Sequence, residues 1–268
     1  MRIWPRSKAP VVPVVRLAGV IGQSSPLRPG LSLAAVESAL DKAFAMKGPA
    51  VAIVVNSPGG SPVQSSLIAQ RIQTLAKKHD KTTIAFVEDV AASGGYWLAA
   101  AADEIVADPS SIVGSIGVVT ATFGFPELLE KIGVERRVYT IGENKSVLDP
   151  FKPEKESDIA ILHAVQADVH AAFVGAIKAR RGARLSDDPD LFTGRFWSGE
   201  AGLALGLVDQ LGEMRSVLAA RYGEKMKLKT VSTTRPSLLR RLGLAATPSA
   251  EALIGATHAH LMWQRFGL

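Results

Sequence analysis

Residues 50–57, AVAIVVNS, run almost without a polar break for the length of one strand and end in the turn cluster SPGGSP. A run of that kind is the pattern of a strand buried on both faces. Residues 12–21 are β-branched and apolar, TTIAFVE (82–88) has the same character, and EIVADP (104–109) and VERRVYTIG (134–142) are expected strands as well. Helical spacing alternates with these runs. SLAAVESALDKAFAMKG predicts a helix capped by Ser32 and ended by Gly48. Ser61 is an N-cap with Pro62 at the first helical position, and that helix extends to about Lys78 with Leu67, Ile68, Ile72 and Leu75 facing inward. A short helix is expected in PELLEKIG (126–133) and a long one over 153–181. GRFWSGEAGLALGLVDQLGE then reads as strand, helix and turn, followed by a helix to about Tyr222. Strands alternating with helices in this way predict an α/β fold with largely parallel sheets.

From Ser232 onward the pattern changes. Pro236 and Pro248 bound SLLRRLGLAAT, and SAEALIGATHAHLMWQRF has helical spacing with an amphipathic look. The expected organisation is a basic tail at 1–11, one domain at 12–231 and a basic helical appendage at 232–268.

Charge adds a second layer. The net charge is +6, and its excess sits at the two ends. Arg2, Arg6, Lys8, Arg16 and Arg28 occur in the first 28 residues without an acid, and residues 211–268 hold nine basic residues against Glu213, Glu224 and Glu251. Basic ends suit an anionic surface, although solubility is the simpler explanation. There is no cysteine, which removes disulfides, zinc-thiolate sites and thiol nucleophiles. MRIWPRSKAPVVPVVRLAGVIG fails as a signal peptide, because its apolar run is short, contains Pro13 and is cut by Arg16. PSSIVGSIGVVTATFGFP is uncharged but too rich in Gly, Ser, Thr and Pro for a membrane helix, so no transmembrane span is expected.

The candidate chemistry centres on VEDVAASGGYWLAAAAD (87–103). Here a buried strand ends near Glu88 and a helix starts near Ser93. A serine at that junction sits among unpaired backbone N–H groups that can hold an oxyanion, and glycines behind it let the chain approach a substrate closely. A plain N-cap with glycines for packing explains the same residues. A nucleophilic serine needs a base. No histidine occurs from 80 to 162, so a local Ser–His pair is absent. Lysine can serve if its surroundings hold it neutral, and Lys145 in YTIGENKSVLDPFKP, beside Gly142 and Asn144, is the best candidate. A solvated loop lysine is the ordinary alternative.

NSPGGSP, DVAASGGYWLAAAADEIVADPSSIVGSIGVV, IGENKSVLDPF and GRFWSGEAGLALGLVDQLG, in that order, resemble the signal peptide peptidase A (SppA) family of serine–lysine proteases. The likeness covers about residues 12–215. It implies a ClpP/crotonase-like fold of stacked ββα units. It also implies that Ser93 is the nucleophile, Lys145 the general base and Ser115 the serine that orients the lysine. Gly59, Gly60 and Gly94 match positions whose backbone holds the oxyanion and the substrate strand. The implied partners are peptide or unfolded protein substrates and further copies of the chain, in a ring or dome.

Many relatives carry an N-terminal membrane anchor, and this chain shows none, which sets the signal-peptide substrate in question. The expected place is the bacterial cytoplasm, with peripheral contact to an anionic membrane surface through the basic ends. No cofactor, metal or nucleic-acid partner is expected: HExxH, cysteine clusters and a GxxxxGK[ST] loop are all missing. Two other readings compete, a crotonase-like acyl-CoA enzyme and a non-catalytic scaffold for extended peptides.

Overall fold

The computed structural model describes residues 9–22, 30–233 and 250–268. Most of the basic tail, and SLLRRLGLAAT with its flanking prolines, lie outside the described residues. The chain divides into two compact units, one of residues 1–117 with 173–268 and one of residues 118–172.

The first unit is built on one sheet. Its strands are β1 (Val11–Ala18), β2 (Ala50–Ser57), β3 (Thr82–Ala92), β4 (Glu104–Ala107), β5 (Ile112–Gly114), β6 (Phe196–Ser198), β7 (Gln210–Leu211) and β8 (Lys227–Val231). The main order is β6-β5-β3-β2-β1-β8, with β4 paired to β3 and β7 to β4. Every pairing is parallel except β5 with β6. The expected α/β architecture, with the largely parallel sheet of the ClpP/crotonase-like class, is therefore present. Helices α1 (Leu33–Ala45), α2 (Pro62–His79) and α3 (Gly94–Ala100) follow β1, β2 and β3. They cover one face through Leu40, Phe44, Ile68, Ile72, Tyr96 and Leu98. On the other face Val12, Val14, Val54, Ile84 and Phe86 meet Val217 and Leu218 of α7 (Met214–Tyr222). β2 lies between both layers, and all its residues are buried, which is why its sequence does not alternate.

β3 is the strand that shapes the site. Its first half pairs with β4 and its second half with β5. Between the partners Val55–Val87 and Ser57–Ala91, β2 advances two residues while β3 advances four, so Glu88 and Asp89 form a bulge. The bulge is held by polar groups: Arg16 donates to Glu88, and Asn56 donates to Asp89 at 2.7 Å. The strand thus continues to Ala92 instead of ending near Glu88 as the sequence pattern suggests. Two charged residues there break the apolar run without breaking the strand.

The second unit contains α4 (Pro126–Lys131) and the first part of α5 (Glu156–Arg181), and α6 (Gly199–Ala204) follows β6 in the first unit. VERRVYTIG, expected as a strand, forms none. Tyr139 is 88% and Ile141 101% exposed, and no strand pairs with the segment, so its β-propensity has nothing to pack against. Leu67 on α2, expected inward, is also exposed.

Among the described residues, Glu156–Arg184 is long and apolar enough to cross a membrane by length and composition. Its last turns are nonetheless part of the first unit's core. Phe173 stacks on Trp97 with ring centroids 4.7 Å apart, and Ile177 and Arg181 are buried. The C-terminal α8 (Ala250–Gln264) is helical, in line with the helical spacing of this segment.

Candidate active site

Ser93 occupies the elbow between β3 and α3, with φ 52° and ψ −124°. A positive φ on a non-glycine residue is strained by about 1–3 kcal/mol and persists only where the surroundings enforce it. The enforcement is visible. The Ser93 N–H donates to the Gly114 carbonyl at the end of β5 at 2.8 Å, and the Ser93 carbonyl accepts from Trp97 N–H in α3 at 3.1 Å. The hydroxyl is left free of both bonds.

The glycines around it are set by close approach. A Cβ on Gly59 would lie 2.8 Å from the Ser93 Cβ and 3.0 Å from the Gly94 nitrogen, at a φ of +104° that side chains avoid. A Cβ on Gly94 would meet Ser65 Oγ at 2.3 Å, and one on Gly95 would meet the Ser57 carbonyl at 2.3 Å. The two glycines behind Ser93 therefore let α3 press against the β2–α2 turn. Gly60 is tied into the same turn, because Ile21 N–H donates to the Gly59 carbonyl and Ser61 N–H to the Ile21 carbonyl.

This arrangement separates the two strand-end glycines. The Gly59 N–H is engaged by Ser57 Oγ at 3.2 Å, and that hydroxyl donates in turn to the Gly19 carbonyl at 2.7 Å. The Gly60 and Gly94 N–H groups donate to no described residue. An unpaired N–H in a packed region is uncommon, and a pair of such groups is able to hold an oxyanion. α3 has only seven residues, so these individual groups carry the argument more than a helix dipole does.

Ser115 also lies in the first unit. It is buried, has φ 53°, and donates its N–H to the Arg195 carbonyl at 2.7 Å. It directly follows Gly114, the acceptor for Ser93 N–H, so a short covalent and hydrogen-bonded path joins the two serines. The structure thus brings together Ser93, Gly59, Gly60, Gly94 and Ser115.

Lys145 stands in the second unit, in a turn where its N–H donates to the Gly142 carbonyl at 3.1 Å. Its side chain is exposed. The turn is clamped by two carboxylates: Asp158 accepts from the N–H of Leu148, itself at φ 54°, at 3.0 Å, and Asp149 pairs with Arg136 and accepts from Phe151 N–H. Arg136 first, and then the Phe151 N–H, hold the Asp149 carboxyl below its ordinary range. Sequence reasoning missed Ser57, Ser65 and Arg195, which support the site. Short polar residues at the end of a buried strand and inside a helix face were the available signal. No group of three or more His, Cys, Asp or Glu side chains is placed to hold a metal among the described residues.

Residues 75–229, more than half of the chain, match peptidase family S49. The chain is 55% identical over 272 residues to the Na+/H+ antiporter NhaA of Brucella abortus, an alignment covering 96% of this chain and 37% of that protein. It is 32% identical over 242 residues to the chloroplastic serine protease SPPA of Arabidopsis thaliana, covering 84% of this chain and 35% of that one. A Synechocystis protein bearing a protease name is 32% identical over 245 residues, covering 87% of this chain and 86% of its own. The chain thus spans little more than a third of the Brucella and Arabidopsis proteins. The matched residues and these relatives show that the chain belongs to peptidase family S49, among the SppA-like proteases.

Proposed function

We propose that the protein is a serine endopeptidase that cleaves extended peptide segments through a Ser93–Lys145 dyad. The observation that carries this reading is the elbow itself: a strained, partly accessible Ser93 with the unengaged N–H groups of Gly60 and Gly94 beside it. In this mechanism Lys145 Nζ takes the Ser93 hydroxyl proton as Oγ attacks the peptide carbonyl. The oxyanion is held by the two N–H groups. The C–N bond then breaks, the amine leaves with the proton returned by Lys145, and an acyl-enzyme remains. Water, deprotonated by the same lysine, hydrolyses the ester and Ser93 recovers its proton. Ser115 orients the lysine amine. The substrate lies as an added strand, which presents its carbonyl to the elbow through backbone hydrogen bonds.

Intact-mass spectrometry after treatment with a peptidyl fluorophosphonate tests this reading. Wild type is expected to gain one adduct and Ser93→Ala none. No adduct on folded wild-type protein would overturn it and favour a peptide-binding scaffold.

The proposal includes assembly of several copies of the chain into a ring or dome. Phe123, Val119, Tyr139 and Ile141 of the second unit all face solvent, with Phe123 80% exposed. Large apolar residues left in solvent at 119–123 and again at 139–141 are candidates for burial against a further copy. Size-exclusion chromatography with light scattering at micromolar concentration is expected to find an oligomer, and Phe123→Ser with Ile141→Ser to shift it toward smaller species. A monomer at micromolar concentration would refute the assembly.

A further inference from the structure

The C-terminal helix ends against the part of the sheet that carries the candidate nucleophile. After Gln264 the chain turns: Phe266 N–H donates to the Trp263 carbonyl at 2.9 Å, Gly267 N–H to the Gln264 carbonyl at 3.0 Å, and Leu268 N–H to the Trp263 carbonyl at 3.2 Å. Gly267 adopts φ 75°, the left-handed conformation that commonly closes a helix. This turn aims Phe266 into the sheet, where it is buried in a cluster with Val90 and Ala92 of β3, bordered by Ile112 of β5 and by Trp263. The Phe196 ring of β6 meets it edge-on at 5.2 Å.

One aromatic residue therefore touches three strands: the last part of β3, the first residue of β5 and the first residue of β6. Each of these strands carries or adjoins one of the site's restraints. Ala92 immediately precedes Ser93. β5 ends in Gly114, which accepts the Ser93 N–H, and Arg195, next to Phe196, accepts the Ser115 N–H. The α7 cluster that covers this side of the sheet reaches β3 only at Ile84 and Phe86, before the bulge. Beyond the bulge the cover comes from Phe266 and Trp263.

We infer that Phe266, supported by Trp263, is a positioning residue for Ser93: it locks β3, β5 and β6 in the register that holds the strained elbow. The inference rests on the reading of Ser93 as nucleophile. A strained φ persists only if its surroundings hold it, and a displacement of about 1 Å in a reacting group can lower a rate about 100-fold.

The experiment compares wild type, Phe266→Ala, Phe266→Leu and Val217→Ala. Val217→Ala removes a buried side chain from the α7 cluster on the same side of the sheet, away from the elbow. Two readouts are used: the fluorophosphonate inactivation rate separated into its maximal rate and half-saturation, and amide hydrogen exchange across 86–97 and 112–118. In Phe266→Ala the maximal rate is expected to fall at least about tenfold with half-saturation little changed, and exchange at the Ser93 and Ser115 amides to quicken. Phe266→Leu should recover most of both. Val217→Ala should melt earlier but react at the wild-type rate. Unchanged exchange at those amides in Phe266→Ala overturns the inference, as does a loss of rate that follows melting temperature equally in Val217→Ala. If wild type itself takes no adduct at Ser93, the peptidase reading fails, and the exchange data still decide whether Phe266 holds the elbow.

Discussion

Lys145→Ala is expected to lower the acylation rate about 10²–10⁴-fold, the range set by losing a positioned general base. Ser93→Ala should leave no acyl-enzyme at all, and Ser115→Ala should fall between wild type and Lys145→Ala. The measurement is the rate of fluorophosphonate inactivation as a function of pH. A lysine accepts a proton only in its neutral form, so the wild-type rate should climb as pH rises, and Lys145→Ala should lose that climb. The position of the lysine makes this a demanding test. Asp158 and the Asp149–Arg136 pair fix the turn that carries it, while its side chain is exposed. In the proposed assembly a neighbouring copy covers this exposed turn. The acylation rate per subunit should accordingly rise with protein concentration over the range in which the oligomer forms. A Lys145→Ala variant that reacts as fast as wild type, with the same pH profile, would remove the lysine from the mechanism.

The contrast between Ser93 and Lys145 also marks where the sequence was legible. β2 announced itself because burial on both faces demands an unbroken apolar run, and α2 because Ser61 and Pro62 are physical start signals: the Ser61 hydroxyl accepts from Gln64 N–H at 3.4 Å. The serine–glycine junction raised the right chemical question, but the elbow is made by contacts distant in sequence. Gly59 is shaped by Ser93, Gly95 by Ser57, and the Ser93 amide by Gly114. None of these pairings has a local signature. The bulge hid the end of β3, because Glu88 and Asp89 look like a strand boundary until Arg16 and Asn56 are seen to hold them. VERRVYTIG failed for the opposite reason: its residues favour a strand, but strands require partners. Lys145 stands out as the best candidate base from its loop position, but a lysine in a polar turn has no pattern that separates a base from a solvated side chain, and only the motif resemblance singles it out as the base.

Arg181→Ala is expected to destabilise the fold by about 3–5 kcal/mol, the usual result of removing one partner from a buried ion pair. Arg181 is 2% exposed, and its guanidinium donates to both Asp209 oxygens, at 2.7 and 3.0 Å, and to the Gly206 carbonyl. Asp209 in turn accepts the Ile105 N–H of β4 at 2.8 Å, and Arg184 adds a further donor. Burial alone would raise the Asp209 pKa, but the Arg181 bonds, the Ile105 N–H and Arg184 outweigh it and leave the carboxyl below its ordinary range. A depressed carboxyl contributes stability at pH above its unfolded value, and this is lost as pH falls through the folded value. Urea unfolding should therefore find wild type losing stability on the acid side, below about pH 4, and Arg181→Ala losing less there because its pair is already gone. Arg181→Lys should recover only part of the loss, since an ammonium cannot make the same fork. The pair sits at the join of α5 with β4, next to Arg180, which donates to the Ala100, Ala101 and Ala102 carbonyls at the end of α3. The last turn of α5 thus anchors the far end of the helix whose first end follows Ser93. Well below the melting temperature Arg181→Ala should still take a fluorophosphonate adduct at Ser93, because the contacts that make the elbow are all on its near side. A variant with wild-type stability would show that Asp209 finds sufficient partners in Arg184 and Ile105, and that the buried arginine contributes no net stability to the join of α5 with β4.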